Sequence, residues 1–315
     1  MKEIGGYFEL ETFHMPMLHE EALGLNCARS CISYLIEARN IRKIAIPYYL
    51  CYCVGAVCEK HGVKIRYYHT DRNFLPVDLS VAPDEWLYFM NYYGRIEPET
   101  IKEYALRYPN IIVDNAQAYF EKPIPHIDTI YTCRKFFGVS DGALLYSDVK
   151  LHREIPQDES FERMNFVLGR FERTASEFFK EAVENNEFYN GEPIRQMSKL
   201  TFNLLHAVDY AFAEKKRTEN YNFLADHLDQ LNLLPPVKVS GAFAYPLWLE
   251  NGAEVRRKLI ENKIYVPTLW PDVAEKMPCD SLEYDMSENI LPLPVDQRYN
   301  EEDMKQIVSL INKIL

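Results

Sequence analysis

The chain has 315 residues, with 35 lysines and arginines against 47 aspartates and glutamates, so its formal net charge is −12. Its composition, 47% hydrophobic and 26% charged, excludes a disordered chain and suits a globular protein of about two domains, while the acidic balance argues against nucleic acid as a partner. No apolar run approaches the roughly 20 residues of a membrane span and residues 1–10 lack the apolar segment of a signal peptide, so we expect no membrane contact and a cytoplasmic location.

The first half of the sequence predicts strands that alternate with helices. Cys27–Ala38 carries apolar residues at three- and four-residue spacing, which is typical of a helix, and Ile41–Ile46 is a short apolar run typical of a buried strand. Similar patterns predict strands over 63–68, 86–91, 111–113, 129–132 and 143–146, and helices over 51–61 and 98–108. Because strands separated by helices form mostly parallel sheets, the sequence predicts an α/β fold.

The second half predicts long helices and then a smaller unit. Residues 159–231 are charged and helical in pattern, with a break at Asn190–Pro193. We then predict a strand over 242–249, a helix over 253–262, a short apolar segment at 264–267, an amphipathic helix over 304–315, and proline-rich turns at 234–236 and 291–294. The predicted layout is a large α/β domain with a helical connection over residues 1–205, and a small C-terminal α+β domain over residues 206–315.

The seven cysteines are odd in number and lie among apolar residues, which disfavours a secreted disulfide framework. Cys51 and Cys53, with Cys58 five residues later, could suggest a metal site. No second pair of cysteines or histidines follows at the spacing of a zinc site. We therefore predict no metal and interpret the thiols as small buried side chains.

Asp114 follows the apolar run Ile111–Val113, which places a carboxylate at the carboxyl end of a predicted buried strand. In open α/β sheets this edge is where ligands bind. A cap or turn residue is the alternative interpretation, since aspartate is common at both positions.

Lys135 lies twenty-one residues further on, between apolar residues and a glycine-containing turn. Such surroundings would disfavour the ammonium form by desolvation and make the amine a nucleophile. The alternative is an exposed loop lysine, which is the commoner state of this residue type.

Several segments, in this order along the chain, together resemble the DegT/DnrJ/EryC1/StrS family of sugar aminotransferases. These enzymes use pyridoxal phosphate (PLP) on the type I, aspartate aminotransferase, fold. Asp114–Ala118 resembles the family's D-x-A-Q-A block, and Tyr131–Gly142 resembles its lysine block. The other similar segments are the small-residue loop Asn26–Leu35, the R-x-x-N element Arg217–Asn220 and the C-terminal signature Leu291–Tyr299. The resemblance covers nearly the whole chain and implies the type I fold.

The resemblance implies roles for three residues at the reacting end of the cofactor. Lys135 would hold PLP covalently and act as the general acid and base that moves a proton between Cα and C4′. Asp114 would pair with the protonated ring nitrogen, which keeps the ring able to accept electrons. Gln117 would lie near the ring face or its O3′ oxygen.

The resemblance also implies a phosphate site at the start of the first helix. The backbone amides of Ala28, Arg29 and Ser30 would receive the phosphate, since the N-terminus of a helix favours anions. Thr132 is a candidate hydroxyl donor to the same group. The family more often places that hydroxyl at the position of Ile130, so the sequence departs from the pattern here.

A second departure concerns the residue that stacks on the ring. The position where the family usually carries an aromatic residue is Cys51, so Tyr49 or Tyr52 could provide the stacking face instead. Core packing is the alternative role for either tyrosine.

The substrate contacts carry over least directly, because the chain is short for the family between Gly142 and Arg195. Asn91 and Tyr92 are candidate substrate contacts by resemblance. Arg134 could bind a phosphate or carboxylate, or form a surface ion pair.

The resemblance implies an enzyme: an aminotransferase that moves an amino group, with glutamate as donor, to a keto-sugar nucleotide in polysaccharide or secondary-metabolite biosynthesis. It also implies a homodimer with the active site at the subunit boundary. The alternatives are a PLP enzyme acting on a non-sugar ketone or an amino acid, and a non-catalytic relative that acts as a binding protein.

Overall fold

The computed structural model describes residues 4–315, and a seven-stranded sheet lies at the centre of the fold. Residues 1–3, part of the segment considered above for a signal peptide, lie outside the described residues. The strands are β1 (Leu23–Leu25), β2 (Lys43–Pro47), β3 (Lys64–Tyr68), β4 (Trp86–Met90), β5 (Ile111–Asp114), β6 (Asp128–Thr132) and β7 (Ala143–Tyr146). Their order across the sheet is β1-β7-β6-β5-β4-β2-β3.

The sheet is mostly parallel, as the sequence predicts. β7 runs antiparallel to both of its neighbours, β1 and β6, whereas the other neighbouring strands pair in parallel. All residues of β5 and β6 are buried, and the apolar run Ile111–Val113 of β5 is typical of a strand covered on both faces. The carboxyl ends of β2, β4, β5 and β6 therefore meet at one edge of the sheet.

Three helices connect the parallel strands: α1 (Ala28–Ala38), α2 (Tyr52–Lys60) and α3 (Pro98–Arg107). α1 contacts α2 and the strands β6 and β7, and its residues from Ser30 to Ile36 are all buried. α1 starts three residues after β1, and α2 starts five residues after β2. The beginnings of these two helices consequently lie close to the strand ends where a ligand would bind.

The helical region and the small unit contain the remaining elements. The helices are α4 (Asn165–Glu172), α5 (Phe179–Phe188), α6 (Lys199–Leu205), α7 (Tyr210–Leu228), α8 (Gly252–Glu261), α9 (Pro271–Lys276), α10 (Leu282–Asn289) and α11 (Glu301–Ile314). The strands β8 (Tyr245–Trp248) and β9 (Ile290–Leu293) form a separate antiparallel pair. A second apolar core lies between this pair and α7, α8 and α11.

The predicted turn at 291–294 is wrong, because this segment forms most of β9. Pro292 lies directly opposite Pro246 of β8, a position at which neither residue has to donate an amide hydrogen to the other strand. The apolar segment 264–267 forms no strand. The sequence patterns did not predict β1, α9 and α10. The domain boundary between residues 205 and 206 stays a prediction.

Arg217 on α7 connects the small unit to the loop after β6. Its guanidinium group is buried and donates to the carbonyl oxygens of Ala242 and Phe136 and to Oε1 of Gln297. Burial lowers the pKa of Arg217 to about 10, because the charged form loses its hydration. Asn220, one turn later, donates to the carbonyl oxygens of three residues between 295 and 299. Arg217 thus braces the segment that carries Lys135, and Asn220 braces the segment after β9.

None of the helices in residues 4–315 combines the length and the apolar character needed to cross a membrane. Within the same residues, no cluster of three histidine, cysteine, aspartate or glutamate side chains is arranged to hold a metal ion.

Candidate active site

Asp114 is the last residue of β5, and its buried carboxylate lies at the edge where the parallel strands end. The hydroxyl of Tyr88, on the neighbouring strand β4, donates to Oδ2 at 2.6 Å. The amide of Ala116 donates to Oδ1 at 2.8 Å. These two bonds fix the direction of the carboxylate and compensate part of the cost of burying it.

The electrostatic balance at Asp114 is set by burial. Loss of hydration raises the pKa of this carboxyl above its usual value, because the charged form is the one that water stabilises most. The positive charge of Lys135 and the hydrogen bonds from Tyr88 and Ala116 oppose the rise. A cationic group bound against Asp114 would act in the same direction as Lys135.

Lys135 lies in the turn that follows β6, where the amides of Phe136 and Phe137 donate to the carbonyl oxygen of Cys133. Its Nζ atom lies 5.6 Å from the centre of the Phe243 ring. The side chain is exposed, so the expectation that apolar surroundings desolvate it is wrong for the single chain. The turn directs Lys135 away from the core, in which Phe136 and Phe137 are buried instead.

The start of α1 offers free amides to an anion. The amide of Ser30 already donates to the carbonyl oxygen of Cys27, and its hydroxyl donates to Oδ1 of Asn26. Ala28 and Arg29 are the first two helical residues, whose amides have no carbonyl one turn earlier within the helix. Of the three predicted phosphate amides, those of Ala28 and Arg29 are therefore the available ones.

Arg29 and Arg134 converge on one residue of α5, although they are distant in sequence. Arg29 donates to the carbonyl oxygen of Asn186 at 3.2 Å, and Arg134 donates to Oδ1 of the same residue at 2.8 Å. Nε of Arg29 and Nη1 of Arg134 are buried and have no hydrogen-bond partner in the part of the chain that the structure describes. Guanidinium groups with unused buried donors are chemically suited to an anion, which would supply the missing acceptors.

Gln117 presents a third unused donor near the same strand edge. Its side chain is fully buried, and its Oε1 atom accepts the amide hydrogen of Tyr93 at 2.8 Å. Its Nε2 atom is buried without a partner among residues 4–315. Because the oxygen is held by Tyr93, the nitrogen is left to donate to a bound molecule.

The three candidates for ring stacking occupy different environments. Tyr49 is only 1% exposed, and its ring packs against Phe74, Tyr92 and Trp270, so it is a core residue rather than a free stacking face. Tyr52 is 46% exposed, and its hydroxyl accepts a hydrogen bond from Asn190.

Cys51 and Thr132 lie nearer to the charged groups of the site. Cys51 is half-buried, and the charges of Lys135 and Arg29 act on its thiol. Thr132 is the last residue of β6, and its side chain is buried beside the turn that carries Lys135.

The predicted substrate contacts Asn91 and Tyr92 are corrected by the structure. Both are buried, and the side chain of Asn91 donates to Asn115 and accepts the amide hydrogen of Ile96. The Tyr92 hydroxyl donates to the carbonyl oxygen of Tyr49. Their polar groups brace the turn after β4 and are already used within the protein.

Sequence reasoning missed Tyr88 and Asn186. Tyr88 could have been found from the strand alternation, since residues two apart on a strand share a face and Tyr88 pairs with Ile112, two residues before Asp114. Asn186 carries no such signal, because its contacts with Arg29 and Arg134 span more than fifty residues.

The chain matches no family model, and no curated protein matches it in sequence. Solved structures do match. DesV from S. venezuelae, crystallised in complex with a ketimine intermediate, is 13% identical, has a TM-score of 0.66, and aligns over 93% of this chain and 84% of its own.

Two further structures agree in fold. A DegT DnrJ EryC1 StrS aminotransferase from Brucella abortus is 12% identical with a TM-score of 0.63, and the alignment covers 93% of this chain and 85% of the other. NtdA from Bacillus subtilis, with bound cofactor PMP, is 13% identical with a TM-score of 0.66, and the alignment covers 93% of this chain and 73% of NtdA. The predicted α/β fold is thereby confirmed, and it matches the fold of these aminotransferase structures.

We expect Tyr88→Phe to destabilise the cofactor-free protein by about 2 kcal/mol at pH 7, because a hydrogen bond to a buried carboxylate is lost. The bond favours the charged form, so its contribution is present above the pKa of Asp114 and declines as pH falls through that value. Urea denaturation at pH 7 and at about pH 4 measures the difference.

Tyr68→Phe is the matched control for Tyr88→Phe. The buried Tyr68 hydroxyl donates to a neutral carbonyl oxygen, that of Tyr88. Its loss should cost about 1 kcal/mol at either pH. Equal and pH-independent costs for the two variants would contradict the account of Asp114.

Proposed function

We propose that the chain is a PLP-dependent aminotransferase whose cofactor lies between Asp114 and Lys135. The observation that carries the proposal is the buried carboxylate of Asp114 at the strand edge, with the charge of Lys135 acting on it and unused buried donors around it. A molecule with a cationic ring nitrogen, an anionic phosphate and a carbonyl group that reacts with an amine meets each of these features.

The described residues fit that cofactor group by group. Asp114 would hold the ring nitrogen as a cation, and this pairing would offset the rise in its pKa. Arg29 and Arg134 have unused buried donors for the phosphate, next to the first amides of α1. Gln117 can donate from Nε2 to the ring oxygen.

When bound, PLP supplies an electron sink that stabilises the carbanion left after a proton is removed from the carbon that bears the amino group. Lys135 would hold the cofactor through Nζ, and its amine, once released, would remove that proton and return it at the neighbouring carbon. In the single chain Lys135 is exposed, so its amine is not held within the core and can reach a cofactor at the strand edge. Asp114 would keep its charge throughout, because Tyr88 and Ala116 donate to it.

The substrate class is proposed from the neighbouring folds and the phosphate-binding character of the site. The solved structures that match include sugar aminotransferases, such as CalS13 from Micromonospora echinospora. We propose a keto-sugar nucleotide as acceptor and glutamate as donor, in polysaccharide or secondary-metabolite biosynthesis. A non-sugar ketone or an amino acid is the second candidate, because the chain is short for the family between Gly142 and Arg195.

We also propose that two copies of the chain form the working enzyme in the cytoplasm. Lys135 is exposed in the single chain, and large apolar side chains are exposed in the region from 161 to 179 that leads to Asn186. A second copy that covers this surface would exclude water from the amine. Equilibrium sedimentation should give twice the chain mass, and the chain mass at micromolar concentration would contradict the proposal.

We expect Lys135→Ala to abolish covalent attachment of PLP. Borohydride reduction of the wild-type protein with PLP should add the cofactor to one tryptic peptide, 135–150, because the modified lysine resists cleavage. Lys122→Ala, which removes an exposed lysine of another loop, should leave the labelling unchanged. Label on several lysines, or unchanged labelling of Lys135→Ala, would contradict the assignment.

The amino-transfer half-reactions separate the candidate functions. Glutamate added to the PLP-loaded protein should give 2-oxoglutarate and change the cofactor's absorption spectrum, since the amino group stays on the cofactor. A keto-sugar nucleotide should then restore the original spectrum at least tenfold faster than a simple 2-keto acid. Restoration by the keto acid alone would favour a non-sugar substrate, and no response to any amino donor would favour a binding protein.

A further inference from the structure

Cys51 and Cys53 form a pair of thiols in direct contact beside Lys135. Their Sγ atoms lie 2.7 Å apart, and both side chains are half-buried. Cys51 immediately precedes α2, and Cys53 is the second residue of that helix. Among the seven cysteines, four others are buried and Cys279 is exposed by itself. No other two thiols among residues 4–315 are in such contact.

We propose that Cys51 and Cys53 are a redox-active thiol pair that closes to a reversible disulfide when the protein meets a peroxide. The proposal goes beyond the aminotransferase function and does not depend on it. It rests on the contact between the sulfur atoms, on their partial exposure, and on the positive charges of Arg29 and Lys135 that act on both thiols.

The two thiols are not equivalent. The hydrogen bond with Cys53 and the charges of Lys135 and Arg29 lower the pKa of Cys51 to about 7. The pKa of Cys53 is raised because its thiol is hydrogen-bonded to Cys51, because burial disfavours its charged form, and because a second thiolate beside the first is disfavoured. Cys51 is accordingly the thiolate that attacks an oxidant, and Cys53 is the thiol that resolves the product.

The chemistry balances with hydrogen peroxide as the oxidant. The Cys51 thiolate attacks one peroxide oxygen, an S–O bond forms, the O–O bond breaks, and hydroxide leaves and takes up a proton as water. The Cys53 sulfur then attacks the Cys51 sulfur, an S–S bond forms, and the S–O bond breaks. The hydroxyl group leaves with the Cys53 proton as a second water. The two thiols lose two electrons and two protons in total, and the peroxide gains them.

Mass spectrometry of the peroxide-treated chain tests the proposal. The reduced protein is treated with equimolar hydrogen peroxide. It is then unfolded in the presence of iodoacetamide, which alkylates the thiols that are still free, and digested with trypsin. Peptide 44–60 carries Cys51, Cys53 and Cys58, so a Cys58→Ala variant removes the ambiguity, and fragmentation of the wild-type peptide gives the same assignment without a substitution. After peroxide treatment, Cys51 and Cys53 in peptide 44–60 should together have lost two hydrogens and should carry no alkyl group from iodoacetamide. Dithiothreitol should restore both thiols and their alkylation.

Two further variants assign the roles. In Cys53→Ser, Cys51 should accumulate as a sulfenic acid that dimedone traps, at least tenfold faster than Cys279 reacts. In Cys51→Ser, Cys53 should react no faster than Cys279. The proposal is overturned if Cys51 and Cys53 remain alkylated while Cys279 oxidises at the same rate. Labelling of Lys135 by PLP is read separately, so failure of the disulfide and failure of the cofactor assignment are distinct results.

Discussion

The burial of one carboxylate at the end of a parallel strand is the constraint on which the rest of the site depends. Asp114 is charged at a cost, because water is excluded from the edge where β5 ends. Tyr88 and Ala116 reduce this cost without removing it. A cation that binds against Asp114 would compensate the rest of the cost of burying its charge. The site therefore favours a cationic ligand at this position.

The charge distribution around Asp114 contrasts with the net charge of the chain. The protein carries −12 overall, yet Arg29, Arg134 and Lys135 lie around the strand edge. Asn186 accepts hydrogen bonds from both arginines, and Arg217 braces the turn that carries Lys135. Elements far apart in sequence thus form a cationic site in an acidic protein. Such a site suits a phosphorylated cofactor and an anionic substrate.

Much of the fold could be predicted from the sequence, because apolar runs such as Ile111–Val113 are dictated by burial on both faces of a sheet. β9 was not predicted because its prolines suggest a turn, whereas Pro292 faces Pro246 at a position where neither residue has to donate an amide hydrogen. At the site, the predictions for Asp114 and Lys135 come from the family resemblance of the segments that carry them. The exposure of Lys135 and the convergence on Asn186 depend on tertiary contacts that no local pattern encodes.

A crystal structure of the chain grown with PLP tests the central claim most directly. The account predicts density continuous with Nζ of Lys135, the ring nitrogen within hydrogen-bond distance of the Asp114 carboxylate, and the phosphate against Arg29 and Arg134. A cofactor bound elsewhere, or a ring nitrogen turned away from Asp114, would contradict it.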